Sequence, residues 1–260
     1  MERSVTGQDF DAADIGDDVA HLVIHQIRKG DLKRLRGLAD LRIRVLELRW
    51  LSAPDLTAVP VPVSRRARDI WQSPKLKSCA GITQAPALQS LRWSENGPIE
   101  DGRALGQLPE LRVLRIETGV EAKQKLVDLE FLRGLQLDEL RLNGVGPHDL
   151  DIAPLLALGG LKRIALHGTD WDEDSLAAIA ARFPAVHADI HTLENYPADM
   201  GMRCIRCGGV RKMLRIRKRK FLWCADCDAK GLEKVLAGFD ARVEVARQSN
   251  TQGVSDAQIA

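Results

Sequence analysis

Apolar residues recur along the middle of the chain in short segments with the pattern LxxLxL, in which polar residues separate the apolar positions. Six segments have this pattern or a variant of it: IRVLELRW, LQSLRWSE, LRVLRIET, LDELRLNG, LKRIALHG and AVHADIHT, which begin at Ile43, Leu88, Leu111, Leu137, Leu161 and Ala185. Alternate residues of a β-strand point to the same face of a sheet. Each segment therefore predicts a short strand whose fourth and sixth positions are buried on one side.

The segments recur at a nearly constant interval. From the second segment onwards they begin at positions 88, 111, 137, 161 and 185. The distance from position 43 to position 88 is close to two such steps, so we expect a degenerate repeat between them, disturbed by the sequence AVPVPVSRR. Because one such unit cannot bury its own apolar face, several units are expected to stack and build a continuous core.

This combination of pattern and period resembles leucine-rich repeat proteins of the bacterial cytoplasmic type, whose repeats contain about 20–29 residues. The resemblance covers roughly residues 32–195. It implies an α/β fold, a solenoid with parallel strands on the inside of the curve and helices on the outside. One feature departs from the family pattern: the asparagine that commonly follows the strand is present only as Asn143, so we expect less regular turns.

Helices are predicted between and before the strands. Apolar residues at helical spacing form two groups between strands: Leu126, Leu129 and Leu132, and Leu176, Ile179 and Ala180. Asp172 or Asp174 could cap the second of these helices, and Pro184 would end it. A third group predicts a helix that caps the N-terminal end of the repeats: Ile15, Val19, Leu22, Val23 and Ile27.

The residues between the buried positions are expected to form an exposed strand face. At the fifth position of successive segments the residues are Glu47, Arg92, Arg115, Arg141, Ala165 and Asp189. Three arginines on strands about 4.8 Å apart repel one another unless acidic groups such as Glu117 and Glu139 intervene. Two interpretations stay open: a solvated ladder of salt bridges, or a docking strip for an acidic protein partner, because arginine binds carboxylates in a bidentate manner.

The last segment carries His187, Asp189 and His191 at alternate positions of one predicted strand. Two histidines and an aspartate can bind a metal or transfer a proton. Alternate strand residues lie about 6.5–7 Å apart, however, which is too far for the two histidines to reach one ion without distortion. We therefore expect a polar recognition or structural role, and we include these three residues with the three arginines in the predicted partner-binding surface.

Four of the five cysteines form two CxxC pairs with residues 208–223 between them: Cys204 and Cys207, and Cys224 and Cys227. Each pair can form a tight knuckle that directs two thiolates at one metal ion, and two knuckles complete a tetrahedron. Two glycines, residues 208 and 209, follow the first pair, where the turn needs a permissive backbone. The segment resembles zinc ribbons, which implies that the four cysteines hold a structural Zn²⁺; another metal or a redox role is the alternative. Four cysteine ligands leave no open position for catalysis.

A basic segment long enough for a β-hairpin connects the two cysteine pairs. Its densest part contains Arg215, Arg217, Lys218, Arg219 and Lys220, with Phe221 and Trp223 beside them. Basic side chains with nearby aromatic rings can bind phosphates and stack on bases. The alternative function is therefore a nucleic-acid-binding adaptor, although the same residues could dock on an acidic protein surface, and the two aromatic residues could pack around the metal.

Charge is unevenly distributed along the chain. The formal net charge is +2, but nine Lys/Arg and no Asp/Glu lie between residues 203 and 220, which leaves −7 on the remainder. An acidic body with one basic segment indicates two surfaces with different partners, or one surface docked on the other. The first residues do not have the pattern of a secretory signal, no run of about 18 apolar residues occurs, and the cysteine usage fits a reducing compartment. We therefore expect a cytoplasmic protein without a membrane span.

Four regions result: an N-terminal capping helix region (1–31), a leucine-rich repeat domain (32–198), a zinc ribbon with a short helix (199–246) and a disordered tail (247–260). The sequence contains no nucleotide-binding loop, metalloprotease motif or nucleophile elbow. We expect a protein without enzymatic activity that recognises a protein partner through the concave strand face.

Overall fold

The computed structural model describes residues 1–60, 66–118, 124–147, 151–167, 171–188, 190, 194–195, 203–213 and 222–256. The chain divides into two compact units, Met1–Arg163 and Ile164–Ala260. The first unit is built mainly from short strands, whereas the longer α-helices belong to the second unit.

The described residues of the first unit form nine strands: β1 (Glu2–Thr6), β2 (His21–His25), β3 (Val45–Arg49), β4 (Ala67–Trp71), β5 (Ser90–Ser94), β6 (Val113–Glu117), β7 (Gln124–Leu126), β8 (Glu139–Asn143) and β9 (Val145–Pro147). The connections contain 3₁₀-helices at Ala12–Asp14, Lys29–Asp40, Ile82–Gln84, Arg103–Gln107 and Glu130–Leu132, and one short α-helix, α1 (Ala153–Leu156). Seven of the strands pair in parallel in the order β1-β2-β3-β4-β5-β6-β8, and β7 pairs in parallel with β9. The order is open, with β1 at one end.

The strand register aligns the repeated apolar positions into two buried rows. The fourth-position row contains Leu22, Leu46, Arg68, Leu91, Leu114 and Leu140, and the sixth-position row contains Ile24, Leu48, Ile70, Trp93, Ile116 and Leu142. Every one of these side chains is buried. Since burying one large apolar side chain contributes about 1.5–3 kcal/mol, the apolar members of these rows contribute substantially to the stability of the sheet. The prediction that the fourth and sixth positions point to one buried face is confirmed.

Strand β4 is the degenerate repeat that the spacing predicted between residues 43 and 88. It pairs with β3 on one side and with β5 on the other. Its sequence lacks the apolar pattern because Arg68 occupies the fourth position, where the neighbouring strands have Leu46 and Leu91. The arginine is nevertheless fully buried, so the backbone register of the neighbouring strands, and not the local hydrophobicity, places β4 in the sheet.

The predicted N-terminal capping helix is wrong. His21–His25 is strand β2, which pairs with β1 and β3, so the sheet already begins within residues 1–31. The apolar residues Ile15, Val19 and Ile27 are buried as predicted, but they lie in the connections on either side of the strand. A connection that brings apolar groups back at intervals of three or four residues imitates a helical pattern, while the β-branched pair at positions 23 and 24 favours a strand.

The turns after four successive strands share one backbone conformation. The residue directly after β2, β3, β4 and β5 has a φ of 55°, 53°, 50° and 53°; these residues are Gln26, Trp50, Gln72 and Glu95. A positive φ lies in the left-handed region, so this residue ends the extended conformation of the strand. The turns are therefore regular in this part of the sheet, contrary to the expectation from the missing asparagines.

Side chains two positions after the strand bind the backbone of these turns. Ser73 Oγ accepts a hydrogen bond from the backbone N–H of Leu51 at 2.9 Å. Asn96 Oδ1 accepts one from the backbone N–H of Ser73 at 2.8 Å, and its Nδ2 donates to the carbonyl of Ile70 at 2.8 Å. The sequence pattern placed the expected asparagine at the position of Asn143, which is the last residue of its strand. The side chains that bind the turns lie two positions later, so the pattern did not reveal this ladder.

One predicted helix of the first unit is replaced by shorter elements. Leu126 ends β7, and Leu132 ends the single 3₁₀ turn Glu130–Leu132. Asp128 Oδ1 accepts a hydrogen bond from the backbone N–H of Glu130 at 2.9 Å, which starts the turn. Gly134, with a φ of 83°, follows it, so the segment has no room for a full α-helix.

The second unit begins within β10 (Arg163–His167) and continues with α2 (Glu173–Arg182), β11 (His187–Ala188), β12 (Glu194–Asn195), β13 (Arg211–Met213), β14 (Leu222–Cys224) and α3 (Ala229–Asp256). Strand β13 pairs antiparallel with β12 and β14. Helix α2 confirms the helix predicted there, and Asp172 caps it by accepting a hydrogen bond from the backbone N–H of Ser175.

Helix α3 has 28 residues and packs against α2. The predicted short helix and the start of a disordered tail at residue 247 are therefore wrong. The sequence from 240 to 252 contains no glycine or proline that would end the helix, so the helix continues through a segment whose polar composition suggested disorder.

Candidate functional site

The four cysteines of the second unit converge on one point. Their sulfur atoms all lie within 4.8 Å of one another. Cys204 Sγ is 3.8 Å from Cys227 Sγ, and Cys207 Sγ is 3.5 Å from Cys224 Sγ. Four sulfurs around an ion with metal–sulfur bonds of about 2.3 Å form a tetrahedron with edges of about 3.8 Å. The four cysteines can therefore hold one metal ion, and their geometry is consistent with zinc.

The backbone of each knuckle directs N–H groups at the sulfurs. Gly209 N–H donates to Cys207 Sγ, and Cys227 N–H donates to Cys224 Sγ, each at 3.4 Å. Gly208 has a φ of 71°, and a side chain at Gly209 would approach Cys207 Sγ to 3.2 Å. The predicted need for a permissive backbone is confirmed at Gly208, and Gly209 avoids a tight contact with this sulfur.

The local field at Cys204 favours a thiolate. Backbone N–H groups of Arg206 and Cys207 lower the pKa of the Cys204 thiol to about 6. The crowded sulfur of Cys207 has the opposite effect on Cys227, whose pKa it raises to about 12. A bound divalent cation removes this conflict, because it stabilises all coordinating thiolates at once.

Two residues that the sequence reasoning missed tie the knuckles together. Asp228, directly before α3, accepts a hydrogen bond from Arg206 Nη2 at 2.7 Å through one carboxylate oxygen. Its other oxygen accepts one from the backbone N–H of Cys224 at 3.0 Å. Asp228 therefore links the first CxxC to the second and orients both. An aspartate between a CxxC pair and a helix is the signal that could have revealed this link.

On the exposed strand face of the first unit, a row of charged residues occupies equivalent positions. The register places Glu47, Asp69, Arg92, Arg115 and Arg141 opposite one another on β3, β4, β5, β6 and β8. The predicted fifth-position column is confirmed for these strands, with Asp69 as the member that the disturbed repeat concealed.

Glutamates bind the arginines of this row. Arg92 Nε donates to Glu117 Oε2 at 2.9 Å, and Arg115 Nε donates to Glu139 Oε1 at 2.8 Å. Arg141 Nη1 lies 3.5 Å from Glu117 Oε1. The glutamate side chains are only 10% and 14% exposed, whereas the arginines are 33–45% exposed. The predicted intervention of Glu117 and Glu139 is thus observed, and the guanidinium groups lie on the solvent side of the carboxylates.

At the other end of the row the charges are less well balanced. Glu47 accepts a hydrogen bond from Arg49 Nε at 2.5 Å and lies 3.5 Å from His21 Nε2. The carboxylate of Asp69 makes no hydrogen bond or ion pair with the described residues. Burial, and then the adjacent carboxylate of Glu47, raise the pKa of Asp69.

Several predicted site residues cannot be placed. His187 lies in β11, but its side chain is outside the described part of the structure, as are Asp189 and His191. The basic cluster of Arg215, Arg217, Lys218, Arg219 and Lys220 also lies outside the described residues, as does Phe221. The antiparallel pairing of β13 with β14 confirms strands on either side of that cluster, and Trp223 is buried. Nucleic-acid binding by the cluster remains a prediction.

Comparison with known proteins does not assign the chain to a family. No protein-family model matches the sequence, and no curated protein matches it either. No helix among the described residues combines the length and the apolar content that a bilayer crossing requires.

Proposed function

We propose that this chain is a leucine-rich repeat protein without enzymatic activity that binds a protein partner through the exposed face of its parallel sheet. Three observations support the repeat assignment: strands at nearly constant intervals, apolar rows in register, and the repeated positive-φ turn. The four cysteines form a closed zinc site in this proposal, because four protein ligands leave no position for a substrate.

The observation that carries the proposal is the geometry of Arg92, Arg115 and Arg141. Each guanidinium is held by a largely buried glutamate while part of it stays exposed. A side chain that is already oriented loses little conformational entropy when it binds a partner. The salt-bridge ladder and the docking strip are therefore compatible, since the ion pairs orient the arginines before a partner binds.

The sign of the charge indicates the kind of partner. Arg163 Nη1 also lies 3.8 Å from Glu139, so four arginines surround two glutamates on this half of the face. The excess is positive, and arginine binds carboxylates with two parallel hydrogen bonds. The partner surface facing this strip is therefore acidic.

A pull-down from cell extract with a charge-neutral variant tests the proposal. Arg92, Arg115 and Arg141 are all changed to Gln, which keeps a hydrogen-bond donor for the glutamates, and circular dichroism verifies folding. We expect a specific partner to be lost. The matched control changes three exposed basic residues away from the strip to Gln: Lys77, Arg103 and Arg133. An unchanged set of partners in the folded triple variant contradicts the proposal, and so does equal loss in both variants.

A further inference from the structure

Trp50 is a large aromatic residue in a costly conformation. Its φ is 53°, and the residue is 46% exposed. The turn after each strand needs a left-handed residue, which glycine or asparagine adopts most easily, whereas a bulky side chain is unfavourable there. The fold would accept a smaller residue at this position, so the need for a turn does not explain the tryptophan.

The surroundings of Trp50 have the composition of a recognition surface. The ring of His25 meets that of Trp50 edge-on, with centroids 6.2 Å apart. On the neighbouring strands the Arg49 guanidinium lies 4.9 Å from the centre of the Trp71 ring, and Glu47 accepts a hydrogen bond from this arginine. Tryptophan and arginine are among the residues most enriched at the energetic centres of protein interfaces. The charge of Arg49 is already satisfied by Glu47 and Trp71.

Asp69 supplies a carboxylate on the strand face that carries Trp71, and Trp50 is joined to Trp71 because its backbone N–H donates to the Trp71 carbonyl at 3.1 Å. Asp69 is two residues before Trp71 and points to the same strand face, opposite Glu47 on β3 and Arg92 on β5. Arg92 attracts this carboxylate, but its Nε donates to Glu117 instead. Among the described residues no side chain or backbone N–H donates a hydrogen bond to the Asp69 carboxylate. A positive charge brought by a partner would relieve its repulsion with Glu47.

We propose that Trp50, Trp71 and Asp69 form a binding site for a cationic side chain, arginine or lysine, of a protein partner. Charge complementarity selects this occupant, because Arg92 and Arg115, the two arginines that attract Asp69, direct their Nε–H groups at glutamates. Aromatic ring faces attract cations, and the structure already contains this contact between Arg49 and Trp71.

This site rests on the proposed function, and it describes the partner further. Strand β4 is two strands from β6 and three from β8 in the sheet order, or about 10 and 14 Å at about 4.8 Å per strand. The partner therefore presents a basic side chain at this distance from the acidic groups that bind Arg115 and Arg141.

The full-length protein, labelled with ¹⁵N, is titrated with the blocked tripeptide acetyl-Gly-Arg-Gly-amide while the indole N–H signals are recorded by NMR. We expect saturable shifts of the Trp50 and Trp71 signals, assigned with the single Phe variants of each. Asp69→Asn and Trp50→Gly should each weaken binding at least threefold. Glycine suits the positive φ at position 50, so the second variant keeps the turn. Glu130→Gln, an exposed acid outside the site, is the control and should bind like the wild type.

Two results overturn the inference: equal shifts with acetyl-Gly-Glu-Gly-amide, or unchanged affinity in the folded Asp69→Asn protein. Failure of the proposed function is seen separately. If the peptide binds here but the variant with the three arginines changed to Gln keeps all its partners, the proposed role of the arginines is refuted and the cationic site is supported. If the strip variant loses its partner and the peptide does not bind, only the cationic site fails.

Discussion

Replacing Glu117 with glutamine isolates the charge that holds two arginines of the strand face. Its carboxylate accepts a hydrogen bond from Arg92 at 2.9 Å and lies 3.5 Å from Arg141, while its own side chain is 10% exposed. One charge-assisted hydrogen bond contributes about 1.5–3 kcal/mol when well shielded. Both arginines are partly exposed, which reduces the gain towards the roughly 0–1 kcal/mol of a surface pair. We therefore expect Glu117→Gln to lower the free energy of unfolding by about 1–2 kcal/mol.

Urea unfolding measures this loss, followed by tryptophan fluorescence, to which the fully buried Trp93 of the sheet contributes. With a slope of about 2 kcal/mol per molar urea, the midpoint should fall by roughly 0.5–1 M. Glu130→Gln is the control, since its ion pair with Arg133 is half exposed on both sides and contributes at most about 0.5 kcal/mol. If the two variants lose the same stability, the glutamate does not anchor the strip, and the reasoning that the arginines are oriented in advance is refuted.

Two further predictions concern the metal site and the acidic end of the face. Metal analysis of the purified protein should find one zinc per chain; Cys224→Ser should lose it and destabilise the second unit, whereas Cys79→Ser, which changes a buried cysteine of the first unit, should keep it. Undamaged wild-type protein without metal would contradict the zinc assignment. Asp69→Asn should raise stability at pH 7, because a carboxyl whose folded pKa is raised destabilises the fold above that pKa. The gain should vanish below the unfolded value of about 3.9, and urea midpoints for both proteins across this pH range check it; an equal difference at every pH would show that the charge is not the cause.

Local sequence was sufficient for features that depend on residue type at a fixed spacing. The LxxLxL segments predicted the strands and their buried rows, because the side-chain period of a strand is two and stacked repeats impose one register. The two CxxC pairs predicted one cluster of four cysteines. Fixed spacing was again sufficient, since each knuckle is contained within a few neighbouring positions. The helix at Glu173–Arg182 was predictable from its apolar spacing and its cap.

The spacing of apolar residues was not sufficient where neighbours in space decided the outcome. Residues 15–27 carry apolar groups at helical intervals, yet pairing with β3 makes His21–His25 a strand. Strand β4 was visible only as a gap of two repeat lengths, because Arg68 replaces the apolar residue that marks its neighbours.

The sequence by itself determined the repeat length, the buried rows, the arginine column and the four cysteines that can hold a metal ion. Only the tertiary structure decided which glutamate binds which arginine, that the Asp69 carboxylate joins the column without a hydrogen-bond donor among the described residues, and that Trp50 occupies a left-handed turn directly after β3. The physical reason is the range of the interactions involved. Strand periodicity and knuckle spacing act between near neighbours in the chain, whereas ion pairs and ring contacts join side chains of successive repeats that become neighbours only when the repeats stack.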